Sequence, residues 1–117
     1  MRLMKVNLMA ADAFVPGNDV YINIDQITAI TATGATCLVN YGHDGVMTVT
    51  VDGGDAAIKL ANAAKFGTWL TTLLVGQGGA DDIILDIFAG MTVADLETAT
   101  GIVSPGTNDG VVSITVA

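Results

Sequence analysis

Apolar and polar residues alternate over much of the first half of the chain, and a period of two predicts strands. Between Leu3 and Met9, the residues Met4, Val6 and Leu8 share one face, with Lys5 and Asn7 on the other. Pro16-Gly17-Asn18-Asp19 predicts a turn, because proline fixes φ while glycine and asparagine tolerate positive φ. Val20 to Ile24 reads as a second strand, with Tyr21 and Asn23 opposite Ile22 and Ile24, and Ile27 to Thr31 as a third. Thr33-Gly34 punctuates. Thr36 to Tyr41 and Val46 to Val51 then flank Gly42-His43-Asp44-Gly45, a glycine-bracketed hairpin loop. Short strands joined by tight turns predict an antiparallel meander.

After Asp52-Gly53-Gly54 the period becomes helical. Asp55 is placed to cap a helix running to about Val75, with Gly76 as its stop. Ala56, Leu60, Ala63, Phe66, Leu70, Leu73 and Leu74 form the expected apolar stripe, with Asp55, Lys59, Asn62, Lys65 and Thr72 opposite. Trp69 falls between the two faces, beside Lys65 and Thr72. Gln77-Gly78-Gly79-Ala80 reads as a connector and Ile83 to Phe88 as a short buried strand. Thr92-Val93-Ala94-Asp95 resembles a capping box with Asp in place of Glu or Gln, opening a short helix through Glu97. Pro105 to Gly110 is a loop. Val111 to Ala117 alternates again as a closing strand. The expected fold is α+β, a single domain over residues 1–117. It comprises an antiparallel β-meander with one central helix packed on it and a C-terminal strand. Strands at both ends of the chain are expected at sheet edges, open to pairing with a neighbour.

Charge changes the picture most. The net charge is −8, with 4 basic and 12 acidic residues. The last base is Lys65, so residues 66–117 carry six acids and no base. Four bases cannot line a groove for a phosphate backbone, which argues against nucleic acid and against anionic membrane surfaces. Half the residues are apolar and mean hydropathy is +0.60. That is more apolar surface than one small domain readily hides, so an assembly of copies or neighbours is expected. The opening Met1-Arg2-Leu3-Met4-Lys5 is too mixed for a signal peptide and no run is long enough to span a bilayer, which leads us to expect synthesis in a cytoplasm.

Candidate chemistry is sparse. Cys37 is the only cysteine and sits in an alternating strand, as a buried thiol would. His43 is the only histidine, beside Asp44 at a hairpin tip, with no serine in a nucleophile elbow to serve. Asp81, Asp82 and Asp86, the pair Asp52 and Asp55, and the Asn108-Asp109 turn offer oxygens to a hard cation, but none has the spacing of a calcium loop. These acids read more simply as caps and turns. Gly76-Gln77-Gly78-Gly79 follows a helix and lacks the third glycine and lysine of phosphate loops. No catalytic, metal or cofactor-binding residue is therefore assigned, and no enzyme activity or cofactor is expected. The residues singled out for protein contact are Trp69, with Lys65 and Thr72 beside it, and the acids Asp81 and Asp82 of the base-free half.

The tracts Val46-Met-Thr-Val-Thr-Val51 and Val111-Val-Ser-Ile-Thr-Val-Ala117, with the Gly/Thr-rich turns between, resemble small accessory proteins of tailed-bacteriophage particles such as capsid decoration proteins. The stretch Tyr21 to Ala64 is also similar to short bacterial meander-plus-helix proteins of the flagellar-operon type. The phage resemblance implies a non-enzymatic cement protein, made in the host cytoplasm and located in the virion. Its partners would be capsid or other virion proteins, with many copies or a homo-oligomer. No site residue carries over, because no diagnostic motif is matched. The alternative is a small soluble ligand-binding or regulatory β-domain that uses a helix–sheet groove.

Overall fold

The computed structural model describes residues 1–76, 82–107 and 109–117. Strands β1 (Arg2–Ala10) and β2 (Ala13–Asn23) lead through a short 3₁₀ turn (Ile24–Gln26) into β3 (Ile27–Thr33), β4 (Thr36–Tyr41) and β5 (Gly45–Val51). Helix α1 (Ala56–Val75), strand β6 (Ile83–Asp86), helix α2 (Val93–Thr100) and strand β7 (Val111–Val116) complete the chain. The strands form one 7-stranded sheet in the order β2-β1-β7-β5-β4-β3, with β6 also paired to β1. The fold is α+β as expected, with α1 packed across β3, β4 and β5.

The meander β3–β4–β5 forms as its alternation predicts. Cys37, Val39, Met47 and Val49 point into the core and are fully buried, while Leu38 and Thr48 between them are not. Asp55 caps α1 by accepting a hydrogen bond from the Ile58 N–H at 2.9 Å. The Thr92–Asp95 capping box closes in both directions, and α2 runs three residues past Glu97 to Thr100 before Gly101 ends it at φ 78°.

Several expectations fail for physical reasons. Pro16-Gly17-Asn18-Asp19 is not a turn between elements but lies inside β2. The true hairpin loop is Ala11-Asp12, both at positive φ (50° and 65°), as a two-residue loop requires. Pro16 and Gly17 instead shift the register, so that Asn7 faces Asp19 while Met9 faces Phe14. Among the described residues β2 pairs with β1 alone, and such an edge tolerates a proline without an N–H. The shift also changes the phase of β1. Met4 and Val6 are buried, but beyond the irregularity Met9 rather than Leu8 takes the fully buried place.

The terminal strands are not edges. β1 has β2 on one side, and its other side is shared by β6, parallel to Arg2–Lys5, and β7, antiparallel at Met9. β7 lies between β1 and β5. Among the described residues the edges belong to β2, β3 and β6. β6 is shorter than the expected Ile83–Phe88 run and is not wholly buried. Ile84 is 65 % exposed, and the fully enclosed residues Ile87 and Phe88 follow the strand.

Candidate functional site

Helix α1 positions the residues singled out from sequence, but its buried arc is rotated from the expected stripe. Asn62, Ala63, Phe66 and Leu70 face the core, whereas Ala56 and Leu60 face outward. Asn62 enters the core because its amide is fully used. Its Nδ2 donates to the Asp52 carbonyl at 2.6 Å and the Val103 carbonyl at 2.9 Å, and its Oδ1 accepts from the Val103 N–H at 3.0 Å. That amide ties α1 to the end of β5 and to the loop before β7.

Lys65, Trp69 and Thr72 are brought together. With Ala64 and Thr68 of α1 and Ala99 and Thr100 of α2 they line an open cleft of about 450 Å³. Their spacing of four and three residues puts them on one side of the helix, as sequence alone indicates. The far wall comes from α2, a contact that no local pattern announces. A second open cleft of about 360 Å³ lies on the opposite flank of α1, between Ala64, Gly67, Thr68, Thr71 and Thr72 and the β3 residues Ile30 to Ala32. Ala64, Thr68 and Thr72 border both.

Trp69 is half-buried and works inward as well as outward. Its ring stacks on Phe88 at 6.0 Å and 16°, and meets Phe66 at 5.4 Å and 57°. Phe88 in turn touches Phe14 at 5.3 Å. All three phenylalanines and the tryptophan thus form one cluster joining β2, the segment after β6, and α1. The cluster holds the floor of the cleft in place.

Asp82 does not line this cleft. It precedes β6, highly exposed, with its carboxylate beside the Met1 ammonium, whose hydrogen bond and charge lower its pKa. Asp81 lies outside the described residues, as do Gln77 to Ala80 and Asn108.

Several other acids accept hydrogen bonds from backbone groups. Asp52 accepts from the N–H groups of Gly53 and Gly54, which together with Lys59 depress its pKa. Asp86 accepts from Ala89 N–H and Glu97 from Gly110 N–H, and Asp109 accepts from Gly106 N–H and the Ser104 hydroxyl. Among the described residues no three His, Cys, Asp or Glu side chains converge as a metal site. His43 and Asp44 lie 3.7 Å apart at a fully exposed hairpin tip. Cys37 is buried, and burial pushes its thiol up to about 11.

One polar cluster escaped sequence analysis. Lys5 lies between Asp19 at 3.8 Å and Asp86 at 3.7 Å, and Asn7 donates to Asp19 at 2.5 Å. These groups border a cleft of about 320 Å³ beside Phe14 and Phe88. The residues come from three strands whose register could not be foreseen, since it depends on the bulge in β2 and the parallel pairing of β6. The charges answer one another and tie β2 and β6 to β1.

Comparison of the chain with protein-family models, curated proteins and solved structures gives no match. No helix among the described residues is long and apolar enough to cross a membrane. The surface that stands out physically is therefore the α1 face with its two clefts, bounded by Lys65, Trp69 and Thr72.

Proposed function

We propose that this protein is a structural component that acts by binding other protein subunits. On its resemblance to accessory proteins of tailed phages, we place it on a virion shell as a decoration or cement protein. The observation that carries this reading is the outward face of α1. It is exposed, carries no charge except Lys65 at its border, and is flanked by two clefts on a chain of net charge −8. A surface helix that faces only water normally carries charge, and contiguous uncharged relief marks a contact. Many copies bound to one shell reinforce it through summed weak contacts, each removing apolar area from water at roughly 25 cal/mol per Å².

A second reading has one observation in its favour. The clefts of about 450 and 360 Å³ fall within the size of small-molecule sites. Both are open along one side, whereas such sites enclose most of their ligand, so the contact reading is preferred.

The test is the composition of particles. Virions of the phage that encodes the chain, purified on two successive gradients, are expected to carry it at a fixed ratio to the major shell protein by quantitative mass spectrometry. Recovery of the chain only in the free-protein fraction would remove the virion assignment.

A further inference from the structure

The free edges of the sheet are not alike. β2 is blunted by Pro16, by its register shift and by Asp19, whose carboxylate lies 3.8 Å from Lys5. β6 is four residues long and ends in Asp86. β3 has none of these devices. It is seven residues of Ile, Thr and Ala, and its one irregularity lies between Ile27 and Ala29. Residues 26–42, which span the whole β3–β4 hairpin, carry no charge on a chain of net charge −8.

The register identifies which backbone groups of β3 are unused. The Val51 N–H donates to the Ala35 carbonyl at 2.8 Å, so Ala35, Cys37 and Val39 turn their backbone groups toward β5. An antiparallel ladder uses alternate residues on each side of a strand. Thr36, Leu38 and Asn40 therefore turn toward β3, where they face Thr33, Thr31 and Ala29. Ile30 and Ala32 are left with N–H and C=O directed outward, unpaired among the described residues. A row of alternating donors and acceptors is completed by another extended strand. On the α1 side the edge is flanked by Ala64, Gly67, Thr68 and Thr71, all short side chains that leave room for one.

Charge and symmetry select the strand. Copies of a chain at −8 repel one another wherever acids meet, and at the uncharged hairpin they do not meet. Strands of Ile and Thr also pair favourably side by side. A two-fold axis at Thr31 sets Ile30 of each copy opposite Ala32 of the other. The outward groups of both residues are then satisfied in each copy, and Thr31 meets its own equivalent. We propose that β3 is the contact between two copies of this chain, which join edge to edge into one continuous antiparallel sheet in that register. The proposal concerns a surface other than the outward face of α1 and stands apart from the virion reading.

Sedimentation of the isolated chain from about 1 µM to about 1 mM reads the association. The parent is expected to approach twice the chain mass of 11.9 kDa at the upper end. Ala32→Pro removes one outward N–H without touching a bond to β4, and Thr31→Lys sets like charges opposite each other at the axis. Each is expected to weaken association by about tenfold or more. Circular dichroism establishes that each variant is folded, and Thr31→Lys, at an exposed position, decides alone if the proline variant does not fold. Oxidative cross-linking reads the register. Thr31→Cys is expected to form a disulfide-linked dimer, since residues opposed in this type of pair lie about 4.5 Å apart at Cα. Thr33→Cys, exposed on the same face, would sit about 14 Å from its equivalent and is not expected to cross-link. The buried Cys37 does not compete. A parent that stays monomeric throughout overturns the proposal. So does a dimer that a folded variant leaves intact, or a Thr33→Cys chain that cross-links as readily as Thr31→Cys. A dimer with this register in a chain absent from purified particles removes only the virion reading.

Discussion

Asn62 gives the sharpest test of how the fold is held. It is fully buried in the middle of α1 and is the one polar residue in the core among those described. Asn62→Ala removes three hydrogen bonds and leaves the Asp52 carbonyl and both backbone groups of Val103 without that partner. Each such bond is worth about 1 kcal/mol net, and a buried group left unsatisfied costs about 1–3 kcal/mol. Val103 is 53 % exposed, so water reaches part of its backbone and the low end of that range applies. The expected loss is about 3 kcal/mol. With a urea slope of roughly 1.5 kcal/mol per M, the unfolding midpoint falls by about 2 M. Asn62→Asp serves as the internal control. It has nearly the same shape, keeps the acceptor for Val103 N–H, and turns an oxygen toward two carbonyls. It is expected to be worse than alanine, because it places a poorly solvated charge against acceptors. A loss below about 0.5 kcal/mol for the alanine variant, typical of an ordinary surface site, would refute the reasoning. So would an aspartate variant as stable as the parent.

Three further outcomes are expected. Gly67→Ala should raise stability by about 0.5–1 kcal/mol in the same urea titration, since alanine favours the helix and the new Cβ meets Cys37 Sγ at an ordinary 3.4 Å; a loss would mean that α1 rides closer to the sheet than the structure has it. The Cys37 thiol should resist a thiol reagent at pH 8 until the protein unfolds. Its folded pKa of about 11 exceeds the unfolded 9.0, so its contribution is complete below pH 9 and is lost between 9 and 11; rapid labelling of the native protein would contradict this. Asp52 has the opposite sign. Its folded pKa lies below 3.8, so its contribution is present above that value and is lost as pH falls through the folded one. Thermal melts of Asp52→Asn across pH 2–5 should therefore show a flatter acid limb than the parent, and an unchanged limb would exclude Asp52 as a source of acid sensitivity.

What could be read in advance follows the range of the forces involved. The meander, the caps of α1 and α2 and the closing strand rest on local alternation and local hydrogen bonding, so β3, β4, β5, β7 and the Asp55 and Thr92 caps stand where their residues indicate. The Ala11-Asp12 hairpin was hidden because it contains no glycine, while Pro16-Gly17 offered a stronger turn signal and became a bulge instead. The phase of α1 was hidden because a polar Asn62 is buried and an apolar Leu60 is exposed, and only the distant Asp52 and Val103 backbone explains the first. The contact residues divide the same way. Lys65, Trp69 and Thr72 share a helix side by spacing alone, but the α2 wall of their cleft, the stacking of Trp69 on Phe88 and the Lys5–Asp19–Asp86 group all depend on long-range packing. The same stacking makes Trp69→Ala a poor probe of contact, since it removes a support of the fold along with a contact surface.

The central claim is that this protein works by adhering to other protein subunits and holding them in place. On the proposed reading as a shell cement protein, its most direct test is the heat resistance of shells assembled from the major capsid protein of a phage whose genome carries this sequence, measured bare and with the purified chain added in increasing amounts. Binding that saturates at a fixed number of copies, with a rise in the disruption temperature that saturates at the same point, is the expected result. Shells that neither bind the chain nor gain heat resistance at any concentration would contradict the account.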